Sequence, residues 1–508
     1  MTGNLPSAVD NSTRPYLRPV FSQLGNSCGS ACGIGNVFTY EINAMRSTDA
    51  SQPQNQIAYL YAYHFLNDGL EQNGKYHMFT DSWDIAKENG IPSVTAFGGF
   101  ENGYPTKWIN GYSTYYNAMQ NRVDQYDSIK ITGPSSLDTV KQWLYDHGDG
   151  SSAGGVAIVT GNAWSIVSEV IKAAPAAGKQ IMVGFGANQE SNHCFTVVGY
   201  NDSIRYDFNG DGRYTNTIDI TKDNKVDMRD WEIGAFRLVN SWGTESFGDK
   251  GFIYLPYWTL VETPENGGSI SDNHIFICKV KKNVTIKAAL KVQINNAHRD
   301  QLALSIGISE NLEALSPTIV NTFKKQFSYA GGDFPMGGIK DSNIIEIGLD
   351  ISDLIDSIGN AQAYKVFLII DSKSNSGAIT YVSLIDYTNG TPREYPSSLT
   401  ILPIKVGRSL ITTQNVIPSN GIMTKKKNAS QPFQIVNNND VLEISSPFTG
   451  AQKIVIHDLN GKTMVSMIVT SVNAKLPVHG LTNGYYTASF EPLDKKKTAR
   501  TVPVIINK

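Results

Sequence analysis

The sequence predicts an α+β domain followed by two β-sandwich domains, and three observations carry that expectation. Residues 1–283 mix helical patterns, such as Gln56 to Leu66 and Leu137 to Asp146, with glycine-punctuated strands, such as Gln180 to Phe185 and His193 to Tyr200. From Val284 the character changes: Thr285 to Val292 alternates with period two, and Lys365 to Asp371 is a continuous apolar strand. Past Asn415 the periodicity lapses around Pro418-Ser419-Asn420-Gly421 and the basic run Lys425-Lys426-Lys427. Short strands resume at Val441 to Ser445, Lys453 to Asp458, Thr463 to Val469 and Tyr485 to Phe490, with an Asn460-Gly461 turn between two of them. The expected parts are therefore 1–283 (α+β), 284–415 (β-sandwich), 416–431 (linker) and 432–508 (a small all-β module).

Composition agrees with several globular parts. A chain of 508 residues exceeds what one hydrophobic core usually supports. With 43 basic and 46 acidic residues the net charge is -3, which offers no electrostatic footprint for nucleic acid. No apolar run reaches the length of about 18 residues that a transmembrane helix needs. The four cysteines, Cys28, Cys32, Cys194 and Cys278, are too few and too scattered for a disulfide framework, and their spacing is unlike a zinc site. At least one of them is then expected to have a chemical role.

Three strings supply that role. Gln23-Leu24-Gly25-Asn26-Ser27-Cys28-Gly29-Ser30-Ala31-Cys32 runs into a helical pattern carrying Val37, Phe38 and Tyr40, which sets a thiol at a helix start. Gly25-Asn26-Ser27 offers a turn and an N-cap, and the first-turn N–H groups favour a thiolate. Ser191-Asn192-His193-Cys194-Phe195-Thr196-Val197-Val198-Gly199-Tyr200 places a histidine at the opening of an apolar strand. The third string is Phe236-Arg237-Leu238-Val239-Asn240-Ser241-Trp242-Gly243-Thr244.

In this order the strings resemble the papain-like cysteine peptidases, over residues 17 to about 282. The resemblance implies Cys28 as nucleophile, His193 as its base, Asn240 orienting the histidine, and Gln23 completing an oxyanion hole with the Cys28 N–H. Trp242 is expected to shield the histidine–asparagine bond, and Gly29, Asn192 and Trp242 to border the substrate. That substrate would be a protein or peptide, and the chemistry needs no cofactor. Gly29 departs from the family's usual Trp at that position. A second register, laying the family's Cys-Gly-Ser-Cys on Cys28 to Cys32, would put Ala31 at the nucleophile position and give a dead site. Glu41 suits that register, whereas the spacing of Gln23 suits Cys28. The other reading of the whole chain is accordingly a non-catalytic surface adhesin on a papain-like fold.

The stretch from Cys28 to His193 is longer than the roughly 130 to 150 residues typical of such enzymes, so it carries insertions. Tyr104, Trp108, Tyr112, Tyr115 and Tyr116 form an aromatic set there, suited either to the cleft or to packing. Between histidine and asparagine, Asp207, Asn209 and Asp211 begin one loop resembling an EF-hand or dockerin motif. Asp219, Thr221, Asp223, Lys225 (through its carbonyl), Asp227 and Asp230 fill the ligand positions of a second. The first loop is incomplete, with Ile218 at its twelfth position. The resemblance implies a structural calcium site; acidic turns that need no ion are the alternative.

The end of the chain reads Ala451-Gln452-Lys453-Ile454-Val455-Ile456-His457-Asp458-Leu459-Asn460-Gly461-Lys462, then Gly480-Leu481-Thr482-Asn483-Gly484-Tyr485-Tyr486 and Val502-Pro503-Val504. It resembles the carboxy-terminal sorting domain of the type IX secretion system of Bacteroidetes, an ordinary immunoglobulin-like module being the alternative. The resemblance implies a secreted or cell-surface protein that engages that secretion machinery.

Overall fold

A computed structural model describes residues 5–69, 76–99, 106–186, 190–268, 273–338, 342–359, 363–388, 390–397 and 401–412, and strands and connections within 434–506. The chain separates into two compact units, Met1–Asn420 and Gly421–Lys508. The boundary expected at 284 thus falls inside the first unit, and the expected linker at 416–431 lies outside the described residues.

The first unit is organised on a nine-stranded sheet. Its strands are β1 (Ala8–Asp10), β2 (Val123–Lys130), β3 (Ala157–Gly161), β4 (Ile166–Val170), β5 (Gln180–Phe185), β6 (His193–Arg205), β7 (Ile233–Val239), β8 (Phe252–Pro256) and β9 (His274–Val280). They run in the order β2-β9-β3-β6-β7-β8-β5-β4, with β1 on β6. Pairing is antiparallel except between β5 and β8. The helices are α1 (Cys28–Ser30), α2 (Thr39–Arg46), α3 (Tyr59–Leu66), α4 (Phe79–Glu88), α5 (Val94–Phe97), α6 (Tyr112–Met119) and α7 (Pro134–Asp146).

Strand β6 shows why this sequence makes a central strand. Cys194 and Val198 face one apolar cluster with the helix that follows Cys28, while Phe195 and Val197 face the other with Leu137, Val140 and Trp143 of α7. Both faces are covered, so its residues read as a continuous apolar run, as in other doubly covered strands. Between α1 and α2 the helix widens into a π-type segment, Ala31–Phe38, all of it buried. Its glycines are close-packed: a Cβ on Gly33 would lie 2.9 Å from Phe79 Cβ, and one on Gly35 2.8 Å from Phe21 Cζ.

Residues 284–412 form a five-stranded and a four-stranded sheet, and Leu290 and Val292 of the one share a buried cluster with Leu304 and Leu368 of the other. Their core is continuous with that of the preceding residues: Phe65, Trp108 and Tyr115 join Leu304, Phe327, Ile347 and Leu368 in one cluster. Helix α3, buried from Tyr59 to Phe65, lies in that shared core. Arg122 and Asp350, both nearly fully buried, form an ion pair of 2.5 Å across the same contact. Tyr112 donates or accepts with Tyr387 at 2.8 Å, Tyr116 stacks on Tyr387, and Trp108 lies under Arg299. The aromatic set around residues 108–116 therefore packs on the sandwich; Tyr104 lies outside the described residues.

The second unit pairs a three-stranded sheet with a four-stranded sheet around Leu442, Ile454, Ile456, Leu476, Ala488 and Phe490. The expected strands are present at Val441–Ser445, Gln452–His457, Thr463–Val469 and Gly484–Pro492. The Asn460-Gly461 turn lies outside the described residues, but its hairpin is closed by Asp458 N donating to Lys462 O at 3.0 Å.

Candidate active site

Two chain segments converge at the amino end of α1. Residues 21–23 run antiparallel to 241–243, with Gln23 N donating to Ser241 O at 2.7 Å and Gly243 N to Phe21 O at 3.0 Å. This pairing brings the loop before Cys28 beside the end of β7, where Asn240 sits. Strand β6, paired with β7, delivers His193 to the same place. Cys28, His193 and Asn240 are all buried, at 5%, 6% and 1% exposure.

The geometry fixes the histidine's tautomer. His193 Nε2 lies 2.8 Å from Asn240 Oδ1, and that same oxygen accepts the Ser241 N–H at 2.7 Å. An oxygen that already takes a backbone N–H is an amide oxygen, so Nε2 must be the donor and Nδ1 is left for the cysteine. The Trp242 ring lies over the imidazole with centroids 4.7 Å apart, Phe195 meets it edge-on at 4.9 Å, and Phe247 abuts Trp242. These rings keep water from the histidine–asparagine bond, which a low local dielectric strengthens.

The Cys28 thiol is held down to about 4, far below an ordinary thiol. The largest cause is a hydrogen bond from Cys194; burial opposes it, and a hydrogen bond and the charge of His193, then the charge of His77, add to it. Ser27 occupies the N-cap position, yet its hydroxyl makes no capping bond. Of the expected devices, neighbouring donors and cations rather than a side-chain cap hold the thiolate. Cys28 Sγ also lies 3.6 Å from the Asn192 carbonyl.

Gln23 is positioned through both ends of its amide. Its Oε1 accepts the Ser241 hydroxyl at 2.7 Å and its Nε2 donates to Gly25 O at 2.8 Å. One amide hydrogen remains for another acceptor. Ser241, which the sequence strings contain without assigning, therefore links the glutamine to Asn240. Asn192 contributes its backbone carbonyl, while its side chain accepts from Ala163 N at 2.8 Å. Gly29 is covered rather than open: a Cβ there would lie 2.3 Å from the His77 carbonyl oxygen, so the chain at 77–79 fills the space beside it.

The alternative register loses its support here. Ala31 is fully buried, and Glu41 binds Val156 N at 2.9 Å and His147 Nε2 at 2.7 Å, holding α2 to β3 and α7. Cys32 points to Thr196, with 3.3 Å between Sγ and Oγ1, and Cys278 is buried. Cys194 touches Cys28, its Sγ donating to the Cys28 carbonyl at 3.3 Å. The signal was available in the alternation of β6: the residue after His193 faces the helix start.

The calcium set is not assembled. Among the described residues no three His, Cys, Asp or Glu side chains are grouped to hold a metal ion. In the second loop Arg229 takes the cation's part, pairing with Asp227 at 2.6 Å and with Asp223. Asp219 Oδ2 accepts from Asn224 N at 2.8 Å and Thr221 Oγ1 donates to Asp230 Oδ1 at 3.0 Å; Asp230 Oδ1 also accepts Ile220 N at 2.9 Å. The Lys225 N–H donates to Asp223. In the first loop Asp207 accepts from Asp211 N and Gly212 N, Asn209 from Asp211 N, and Asp211 from Arg213 N. Its acidic anchor is Glu232, buried and outside the twelve-residue window, which accepts Phe208 N and Thr215 N at 2.9 and 3.0 Å.

No described helix is long and apolar enough to cross a membrane. No family model matches the chain, and no curated protein matches it. Among solved structures, a chain from work on the structural basis for the limited antibody cross reactivity between the mite allergens Blo t 1 and Der p 1 aligns over 55% of this chain and 72% of its own. The identity is 14% and the TM-score 0.31, too distant a likeness to assign a function, which leaves the residue geometry to carry the reading.

Proposed function

We propose that this chain is a cysteine peptidase acting on protein or peptide substrates through an acyl-thioenzyme. The observation that carries the reading is the His193–Asn240 bond of 2.8 Å under the Trp242 ring, which leaves Nδ1 for Cys28. In the proposed cycle the Cys28 thiolate attacks the scissile carbonyl, and the oxyanion accepts hydrogen bonds from the Cys28 N–H and the free amide hydrogen of Gln23. The imidazolium of His193 protonates the leaving amine as the C–N bond breaks. Water, giving its proton to His193, then hydrolyses the thioester and regenerates the thiolate–imidazolium pair. No cofactor takes part in this cycle.

The test is alkylation by an irreversible thiol-peptidase probe, with the modified residue mapped by mass spectrometry. Labelling at Cys28 that is lost in His193→Ala supports the peptidase. A Cys28 that stays unlabelled under all conditions favours the adhesin reading.

Export belongs to the same proposal and rests on the strings at 451–462, 480–486 and 502–504. The chain would be secreted or held at the cell surface, passing through type IX machinery by way of 432–508. Recovery of the protein outside the cells, abolished by deleting 432–508, is the outcome expected; export without that unit would refute it.

A further inference from the structure

Cys194 is a buried nucleophilic group that peptide hydrolysis does not use. It follows His193 on β6, faces the opposite side of the strand, and reaches beneath the start of α1. Its Sγ lies 3.3 Å from the carbonyl oxygen of Cys28, and it is the largest influence that holds the Cys28 thiol down. Cys32, whose sulfur lies 3.3 Å from Thr196 Oγ1, is a further influence on Cys194. All three cysteines are free thiols in the structure. A peptidase has no need of a second sulfur against its nucleophile; a serine or a backbone N–H would serve as the donor.

We infer that Cys194 is a resolving thiol, so that the Cys28–Cys194 pair is a site of reversible oxidation by hydroperoxides. The inference rests on Cys28 being the reactive thiolate proposed above. In the first step the Cys28 thiolate attacks the peroxide O–O bond: sulfur is oxidised, one oxygen is transferred, and the other leaves as water or an alcohol once protonated, giving the Cys28 sulfenic acid. In the second, Cys194 sulfur attacks Cys28 sulfur; the S–O bond breaks, the S–S bond forms, and the Cys194 proton leaves with the hydroxide as water.

The site controls the order of events. In the resting state Cys194 is pushed well above an ordinary thiol, first by its bond to Cys28, then by Cys32 and by burial. It therefore stays protonated and unreactive while Cys28 carries the charge. Conversion of Cys28 to the neutral sulfenic acid removes the largest of those causes at the moment when Cys194 must react. The disulfide blocks the nucleophile but protects it from the irreversible sulfinic and sulfonic acids, and thiol reductants reopen it.

The experiment exposes the full chain to hydrogen peroxide, maps cysteine modification by non-reducing peptide mass spectrometry, and then measures Cys28 alkylation before and after dithiothreitol. The native protein is expected to give a Cys28–Cys194 peptide pair lighter by two hydrogens, and to regain most of its lost alkylation on reduction. Cys194→Ala and Cys194→Ser, each compared with its own untreated reactivity, are expected to lose that recovery and to accumulate Cys28 sulfinic acid, whereas Cys32→Ala keeps the disulfide. Native protein that goes to the sulfinic acid without any disulfide, or that pairs Cys28 with Cys32, overturns the inference. An untreated control in which Cys28 resists alkylation counts separately against the peptidase reading, because the peroxide arm is read by mass regardless.

Discussion

His193 Nε2 lies 2.8 Å from Asn240 Oδ1, and the Ser241 N–H holds that oxygen in place from the other side. In the proposed mechanism the asparagine is therefore a positioning residue: it fixes the tautomer and the ring plane of the histidine without touching the reacting atoms. Asn240→Ala is expected to lower kcat/KM on a peptide substrate by about 10- to 100-fold, the usual effect of losing such an orienting partner. The alkylation rate of Cys28 should fall with it. An unchanged rate at both readouts would show that Trp242 and Phe195 alone hold the ring.

The depressed Cys28 thiol predicts a pH profile. A thiol held to about 4 is ionised throughout neutral and mildly acidic solution, so its alkylation rate should be flat from pH 8 to about 5 and fall only below that. The sign for stability agrees: a depressed acid stabilises the fold fully above its unfolded value of about 8.5, and the contribution declines as pH falls toward 4. Cys194→Ala removes the largest cause and His193→Ala the next favourable one, so each should move the alkylation midpoint upward. A midpoint near 8.5 in the native protein would contradict this account.

Gly29 predicts the consequence of restoring a side chain beside the nucleophile. The Cβ of an alanine would fall 2.3 Å from the His77 carbonyl oxygen and 3.2 Å from Phe79 N, against backbone rather than a movable side chain. Gly29→Ala should therefore destabilise the protein by about 1–3 kcal/mol, the usual cost of overpacking, as read from denaturant unfolding. Because His77 Nε2 lies 2.8 Å from Ser30 Oγ, displacement of this segment should also slow Cys28 alkylation. A fully stable and fully reactive variant would mean that 77–79 moves freely.

Much of this site was legible because its chemistry is local in sequence. A thiol at a helix start, a histidine opening an apolar strand and an asparagine before Ser-Trp-Gly each carry their own pattern, and the structure brings all three together. Other features depend on contacts distant in sequence. The shared core around Phe65, Trp108, Leu304 and Phe327 left only amphipathic patterns that each look like a finished surface, so 284 read as a boundary. Glu232 was missed as the anchor of the first acidic loop for a related reason: the turn between Arg213 and Glu232 returns the chain to Phe208, outside any fixed-length motif. The Arg229 pairings show the converse, where a good motif match hides a competing cation within the same twelve residues.

The Arg122–Asp350 pair predicts that residues 5–283 and 284–412 unfold together. Arg122 Nη1 meets Asp350 Oδ2 at 2.5 Å with both side chains nearly fully buried, and Asp350 also accepts the Ser352 N–H at 2.8 Å. Removing Asp350 takes away the buried partner of Arg122, which keeps the half-exposed Asp353 at 3.3 Å and the Lys87 carbonyl, so the loss reaches at most about 3–5 kcal/mol, that of a broken buried pair. Asp350→Ala should lower stability by up to that amount and leave a single denaturation transition for the whole first unit. Two separated transitions in the native protein would instead make the sandwich an independent appendage, despite the apolar cluster that runs through both parts.

The Arg229 side chain predicts how the acidic insertion meets calcium. Its guanidinium binds Asp223 and Asp227, two of the carboxylates that a cation would need, and those bonds hold Asp227 below the ordinary carboxylate range. Calcium must displace this internal cation before it can be coordinated, whereas Arg229→Ala releases Asp223 and Asp227 from their ion pair. Calcium at about 1 mM, the affinity range of weak extracellular loops, should then raise Tm more in Arg229→Ala than in the native chain. Asp219→Asn in the same background should remove the difference. If Arg229→Ala is destabilised and calcium does not restore it, the two acidic loops are turns held by their own hydrogen bonds, and Arg229 is the only cation the insertion requires.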